Sequence, residues 1–71
     1  MDIKITLEAA RINRGLTQKE VAERLNVTQQ TLSAWEKGLR EPKISQARKL
    51  AKLYDVPLDN IFFCRSNPIM I

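Results

Sequence analysis

The 71 residues predict a small all-α domain, a compact bundle of five short helices, and three observations carry this expectation. Length is the first: the scaling of folded and extended surface gives a chain of this size roughly 4,500 Å² exposed when folded against about 12,000 Å² unfolded, enough for one core. Apolar residues recur three and four positions apart over most of the chain, the period of a helix face. The periodic stretches are separated by residues that stop or start helices, including Gly15, Thr17, Asn26, Thr28, Gly38 and Pro57.

Taken in order, Thr6 caps a first helix that runs through Arg14, with Glu8 favourably placed in its first turn and Leu7, Ala10 and Arg11 on one face. Gly15 ends it as a left-handed residue. Thr17-Gln18-Lys19-Glu20 matches a capping box, so a second helix is expected over 18–25, with Val21, Ala22 and Leu25 as its apolar stripe. Asn26 takes the positive-φ position in a three-residue interruption and Thr28 caps a third helix over 29–37. On that helix Leu32, Trp35 and Glu36 face inward, while Gln29, Gln30, Ser33 and Lys37 face outward; Gly38 stops it. Residues 39–43 form a loop broken by Pro42. Ser45 is the expected cap of a fourth helix, which buries Ala47, Leu50, Ala51 and Tyr54. After Asp55-Val56-Pro57, residues 58–62 suffice for a short fifth helix. Ile3, Ile5 and Leu7 alternate in strand fashion, and Ile69-Met70-Ile71 makes an apolar terminus, so an extended segment stays open at either end. The reading is one domain over 1–71, with a core of 6–62 and a C-terminal tail of 63–71.

Composition narrows the function classes. With 44% hydrophobic and 28% charged residues the chain is expected to fold rather than stay disordered. No run approaches about 18 apolar residues and the N-terminus lacks the pattern of a signal peptide, so a cytoplasmic protein without a membrane partner is expected. One cysteine, Cys64, and no histidine leave no internal disulfide and no ligand set for zinc. There is no glycine-rich phosphate loop and no base to pair with Cys64, so neither catalysis, a cofactor nor a small-molecule ligand is expected. The net charge of +4 is local in origin. Residues 1–36 carry five cations and five anions, whereas 37–54 carry Lys37, Arg40, Lys43, Arg48, Lys49 and Lys52 against Glu41 alone. Such a segment suits a polyanion.

Two short helices three residues apart, the second with a polar outer face, have the layout of a helix-turn-helix. Spacing alone is weak, but residues 16–44 add Leu16-Thr17-Gln18-Lys19-Glu20-Val21-Ala22, Leu25-Asn26-Val27-Thr28-Gln29-Gln30-Thr31-Leu32, Trp35-Glu36-Lys37-Gly38 and Pro42. In these residues the chain closely resembles the Cro and phage-repressor family, from about Leu7 to Phe62. The resemblance implies a lambda-repressor-like fold, with the motif in helices 2 and 3, and a regulator that binds double-stranded DNA as a homodimer.

It also implies roles residue by residue. Thr17 and Gln18 stand where a helix N-terminus meets a phosphate. Gln29 opens the recognition helix, where an amide can bond N6 and N7 of adenine, and Gln30 matches a second base-reading position. Family members pair the glutamines matching Gln18 and Gln29 with each other. Thr28 offers a methyl to thymine and a hydroxyl to phosphate, and Ser33 is a further base-reading candidate. Ala34 occupies a position where some relatives carry a longer side chain, so either the readout is shorter here or Ala34 touches a thymine methyl. Lys37, Arg40 and Lys43 are the expected phosphate contacts beyond the recognition helix. Arg48, Lys49 and Lys52 read as solvated. Arg11 and Glu36, charged on inward faces, are paired in the family, and an unpaired buried charge would cost several kcal/mol. Trp35 belongs to the core by its spacing from Leu32.

A protein-interaction adaptor, or an antitoxin component, is the alternative for the same fold; exposed aromatic or aliphatic anchors would be expected in place of the glutamines. One motif reads few base pairs, so a two-fold dimer on a pseudo-palindromic operator is expected. The apolar residues from Phe62 and Phe63 to Ile71, and the Ile3/Ile5 segment, are the candidate contacts.

Overall fold

The structure, a computed structural model, describes residues 4–62. It contains four α-helices, α1 (Leu7–Asn13), α2 (Gln18–Leu25), α3 (Gln29–Lys37) and α4 (Ile44–Tyr54), with β1 (Ile5–Thr6) before them and β2 (Ile61–Phe62) after them. The tail 63–71, with its Ile69-Met70-Ile71 terminus and Phe63, lies outside the described residues, as does Ile3.

Local chemistry explains the helix boundaries. The Thr6 hydroxyl accepts from the Ala9 amide at 3.1 Å and starts α1, which ends one residue earlier than expected, with Arg14 as its C-cap. The Thr17 hydroxyl accepts from the Glu20 amide at 3.1 Å, and the Glu20 carboxylate accepts from the Thr17 amide at 2.8 Å, completing the capping box of α2. That amide holds the Glu20 carboxyl below its ordinary pKa. Asn26 closes α2 at φ 59° and Gly38 closes α3 at φ 78°. In that left-handed region Asn pays little and Gly nothing for its side chain.

Two expectations are corrected. Ser45 does not cap α4: Lys43 holds the N-cap position and Ser45 lies inside the first turn. The Gln46 side-chain oxygen accepts from the Lys43 amide at 2.8 Å, the returning half of a capping box, and this moves the start two residues back. Residues 58–62 are not a fifth α-helix. They form a single 3-10 turn (Leu58–Asn60) that runs directly into β2. The fold is otherwise the expected all-α one, with a single short pair in which β1 and β2 run parallel, Ile5 opposite Ile61 and Thr6 opposite Phe62. A parallel pair needs a long crossover, and here the four helices are that crossover.

Leu7, Ala10, Val21, Leu25, Leu32, Trp35, Leu50, Ala51, Tyr54 and Ile61 make one core, placing Trp35 with Leu32 inside. No helix among the described residues is long and apolar enough to cross a membrane. Tyr54 is 1% exposed, and its hydroxyl has no hydrogen-bond partner among the described residues. Burial, with Glu36 adding to it, pushes the phenol well above its ordinary pKa of 10.0. Removing an unpaired buried hydroxyl releases its desolvation cost, so Tyr54→Phe is expected to leave stability unchanged or raise it by about 1 kcal/mol in urea unfolding. The raised pKa means that stability present below pH 10.0 is lost as pH rises toward the folded-state value. Tyr54→Phe should therefore flatten the alkaline limb of the stability curve; an unchanged limb would assign that loss to other groups.

Candidate nucleic-acid interface

The α2 and α3 helices pack more extensively on one another than any other pair of elements. Their angle is set by the turn between them. Asn26 reverses the chain in the left-handed region, the Val27 amide donates to the Ala22 carbonyl at 3.0 Å, and the Val27 side chain packs against the core. Thr28 then caps α3, its hydroxyl accepting from the Thr31 amide at 3.1 Å and lying 2.9 Å from the Thr31 hydroxyl. The Thr28 hydroxyl is thus engaged locally, which leaves its methyl as the group free to face a partner. Thr31 is legible in the sequence only through its spacing of three from the N-cap threonine.

Beneath this turn lies a polar network. Arg11 Nε donates to Glu36 Oε2 at 2.7 Å, Arg11 Nη2 to Glu36 Oε1 at 3.4 Å, and Arg11 Nη1 to the Leu16 carbonyl at 2.9 Å. The side chains are 12% and 4% exposed, so this is a part-buried pair rather than a surface one. The hydrogen bond to Glu36 raises the Arg11 pKa, against the lowering effect of burial. Glu36 Oε1 also accepts from Gln18 Nε2 at 3.0 Å, and Gln18 Oε1 accepts from Gln29 Nε2 at 3.4 Å. The Glu36–Gln18 link is not legible in the sequence, because it depends on how the N-terminus of α2 meets the C-terminus of α3.

Around the network the expected site residues fall as follows. Gln29 and Gln30 are exposed on the first turn of α3, with Thr28 beside them; Ser33 and Ala34 are half-buried on its second turn. Thr17 is exposed and Gln18 half-buried at the start of α2. Lys37, Arg40 and Lys43 are exposed at the end of α3 and along the loop to α4, while Arg48, Lys49 and Lys52 are exposed on α4. Among the described residues no group of three or more His, Cys, Asp or Glu side chains is placed to hold a metal ion.

A family model described as helix-turn-helix matches residues 7–61, from the first residue of α1 to the first of β2. The chain belongs to the helix-turn-helix family. Within it, relatives bear out the Cro and phage-repressor resemblance. The chain is 46% identical over 48 residues, 68% of its own length and 43% of the relative's, to the cryptic phage CTXphi transcriptional repressor RstR of Vibrio cholerae. It is 38% identical over 60 residues, 84% of its length and 91% of the relative's, to an uncharacterised HTH-type transcriptional regulator of Methanocaldococcus jannaschii. A third, the HTH-type transcriptional regulator ImmR of Bacillus subtilis, is 41% identical over 59 residues, covering 83% of this chain and 46% of that one. The chain thus spans less than half the length of two of these three relatives.

In this helix-turn-helix domain the ion pair joins α1 to α3, so breaking it should loosen the motif itself. Removing one partner of such a pair strands the other, at about 3–5 kcal/mol, whereas replacing both with packed apolar groups is close to neutral. Glu36→Met alone is expected to cost more in chemical unfolding than Arg11→Met with Glu36→Met together. Additive free energies in the double-mutant cycle would contradict the pairing.

Proposed function

We propose that this chain is a sequence-specific regulator of transcription that binds double-stranded DNA, a repressor acting as a two-fold dimer on a pseudo-palindromic operator. The observation that carries the reading is the exposed amide pair Gln29 and Gln30 on the first turn of α3, with Gln29 bonded to Gln18 at the start of α2. The two helices of the motif thereby join polar side chains at one edge, and a helix of this kind is what a major groove admits. The name of the Vibrio relative, a phage transcriptional repressor, supports the repressor sense.

In this reading Gln29 and Gln30 read base edges, Thr28 contributes its methyl, and Ser33 reaches a base at the margin of the contact. Thr17 and Gln18 meet the backbone at the α2 terminus. Lys37, Arg40 and Lys43 follow the recognition helix and supply phosphate contacts, which position the protein but carry no base information. A single module with so few reading side chains specifies only a few base pairs. Two modules about 34 Å apart, one turn of the duplex, double the readout.

Selection of bound sites from random duplex DNA tests the reading. Gln29→Ala is expected to relax the consensus at one position per half-site, since a good bidentate contact contributes about 1–3 kcal/mol of discrimination. Two protomers should occupy each selected site; one protomer with a footprint on a single half-site would exclude the dimer.

The cations predict a different signature. Neutralising one of Lys37, Arg40 or Lys43 should weaken binding to all sequences alike and reduce the slope of log affinity against log salt by about one per contact, or about two for a dimer. A change in base preference with an unaltered salt slope would remove that residue from the phosphate set.

A further inference from the structure

The hydrogen bonds beneath the interface have a direction as well as a place. A carboxylate only accepts, a guanidinium only donates, and a glutamine amide offers an accepting oxygen and an NH2 with two protons. Glu36, held between Arg11 and Gln18, therefore requires Gln18 to turn its NH2 inward, where Nε2 donates to Glu36 Oε1 at 3.0 Å. Gln18 Oε1 is left facing Gln29. Of the two ends of the Gln29 amide only the NH2 can donate to that oxygen, and Gln29 Nε2 lies 3.4 Å from it. Protons are thus donated one way, from Gln29 to Gln18 to Glu36.

Resting on the DNA-reading function proposed above, we propose that the Arg11–Glu36 pair determines specificity: it fixes the amide polarity of Gln18 and Gln29 and so selects adenine over guanine at the base that Gln29 meets. With these bonds made, Gln18 keeps one N–H, which matches a phosphate oxygen, an acceptor only. Gln29 keeps one N–H and its Oε1, one donor beside one acceptor. Adenine shows the complement in the major groove, the N7 acceptor and the N6 amino donor. Guanine shows two acceptors, N7 and O6, and calls for two donors. One of the two Gln29 protons is already committed to Gln18, and Gln29 Oε1 against guanine O6 would set two acceptors face to face. Reversing the chain would turn the Gln18 oxygen toward phosphate and free both Gln29 protons, which favours guanine. Arg11 and Glu36 touch no base in this scheme; they are positioning residues that act through Gln18.

The test compares sites selected from random duplex DNA by the wild-type chain, Gln29→Ala, the double variant Arg11→Met with Glu36→Met, and Glu36→Gln. Gln29→Ala identifies the base position concerned. At that position the wild type is expected to select adenine, and the double variant to admit guanine, its adenine-to-guanine preference falling about tenfold or more. Preferences at the other positions serve as the internal control, which a merely structural role would disturb equally. Glu36→Gln retains the shape but can donate as well as accept; it should shift in the same direction and stands in if the double variant does not fold. In 15N NMR spectra of the free wild-type protein the Gln18 and Gln29 side-chain amides should be dispersed and slow to exchange. Freely exchanging amides, or a folded variant with undiminished adenine preference, overturn the polarity proposal and leave the DNA reading standing. A wild-type consensus that Gln29→Ala does not change overturns the DNA reading, and the polarity proposal with it.

Discussion

The part-buried ion pair between Arg11 and Glu36 is the joint on which the arrangement of the first three helices depends. Glu36 lies in the last turn of α3 and Arg11 in the last turn of α1, and neither charge could stay where it is alone. The guanidinium makes three bonds in its fixed fork, two to Glu36 and one to the Leu16 carbonyl, the residue before the α2 N-cap. The carboxylate uses its remaining capacity on Gln18, the first residue of α2. Two side chains thus hold α1, the entry to α2 and the exit of α3 together. The apolar contacts of Val21, Leu25 and Leu32 supply the non-directional part of the packing; the ion pair supplies direction.

How much of this is legible in the sequence follows from how local each cause is. The bounds of α2 and α3 are readable because Thr17, Glu20, Asn26, Thr28 and Gly38 act within three or four residues of their own positions. The start of α4 is not, because two neighbouring side chains can each open a helix there. Ser45 has a capping hydroxyl, but Gln46 reaches back to the Lys43 amide and starts the helix earlier. The β1–β2 pair is beyond local reading, since Ile5 meets Ile61 across the whole fold and a two-residue strand leaves almost no periodicity. In the candidate site the inward charges of Arg11 and Glu36 announce a pair, and the family resemblance supplies the Gln18–Gln29 contact. The link joining them, Gln18 to Glu36, depends on where the N-terminus of α2 falls beside the C-terminus of α3, which no periodicity reports.

The short parallel pair has a mechanical consequence for the helices. Two residues of strand are too few to be stable alone. They persist because Ile61 is buried in the core and because Lys4 Nζ donates to the Asp59 carbonyl at 3.0 Å beside them. The pairing ties the residue that caps α1, Thr6, to the segment that follows α4. The first and last helices are therefore closed over the core together, and α1 presents Arg11 to α3 from a fixed base.

The start of α2 carries two demands that oppose each other. Folding uses a capping box, which satisfies the Thr17 and Glu20 amides but places a carboxylate at the terminus whose dipole favours anions. The Thr17 amide holds the Glu20 carboxyl below its ordinary pKa of 4.5, so the terminus carries a full negative charge at neutral pH and well into mild acid. By helix geometry the Gln18 and Lys19 amides have no intrahelical partner, so they remain available to a phosphate. Any phosphate bound there also meets the Glu20 charge, which the exposed Lys19 offsets only partly. If the chain holds DNA as proposed, this terminus positions the backbone more than it attracts it. The attraction then has to come from elsewhere, and residues 37–54, with six cations against one anion, are where the sequence concentrates it.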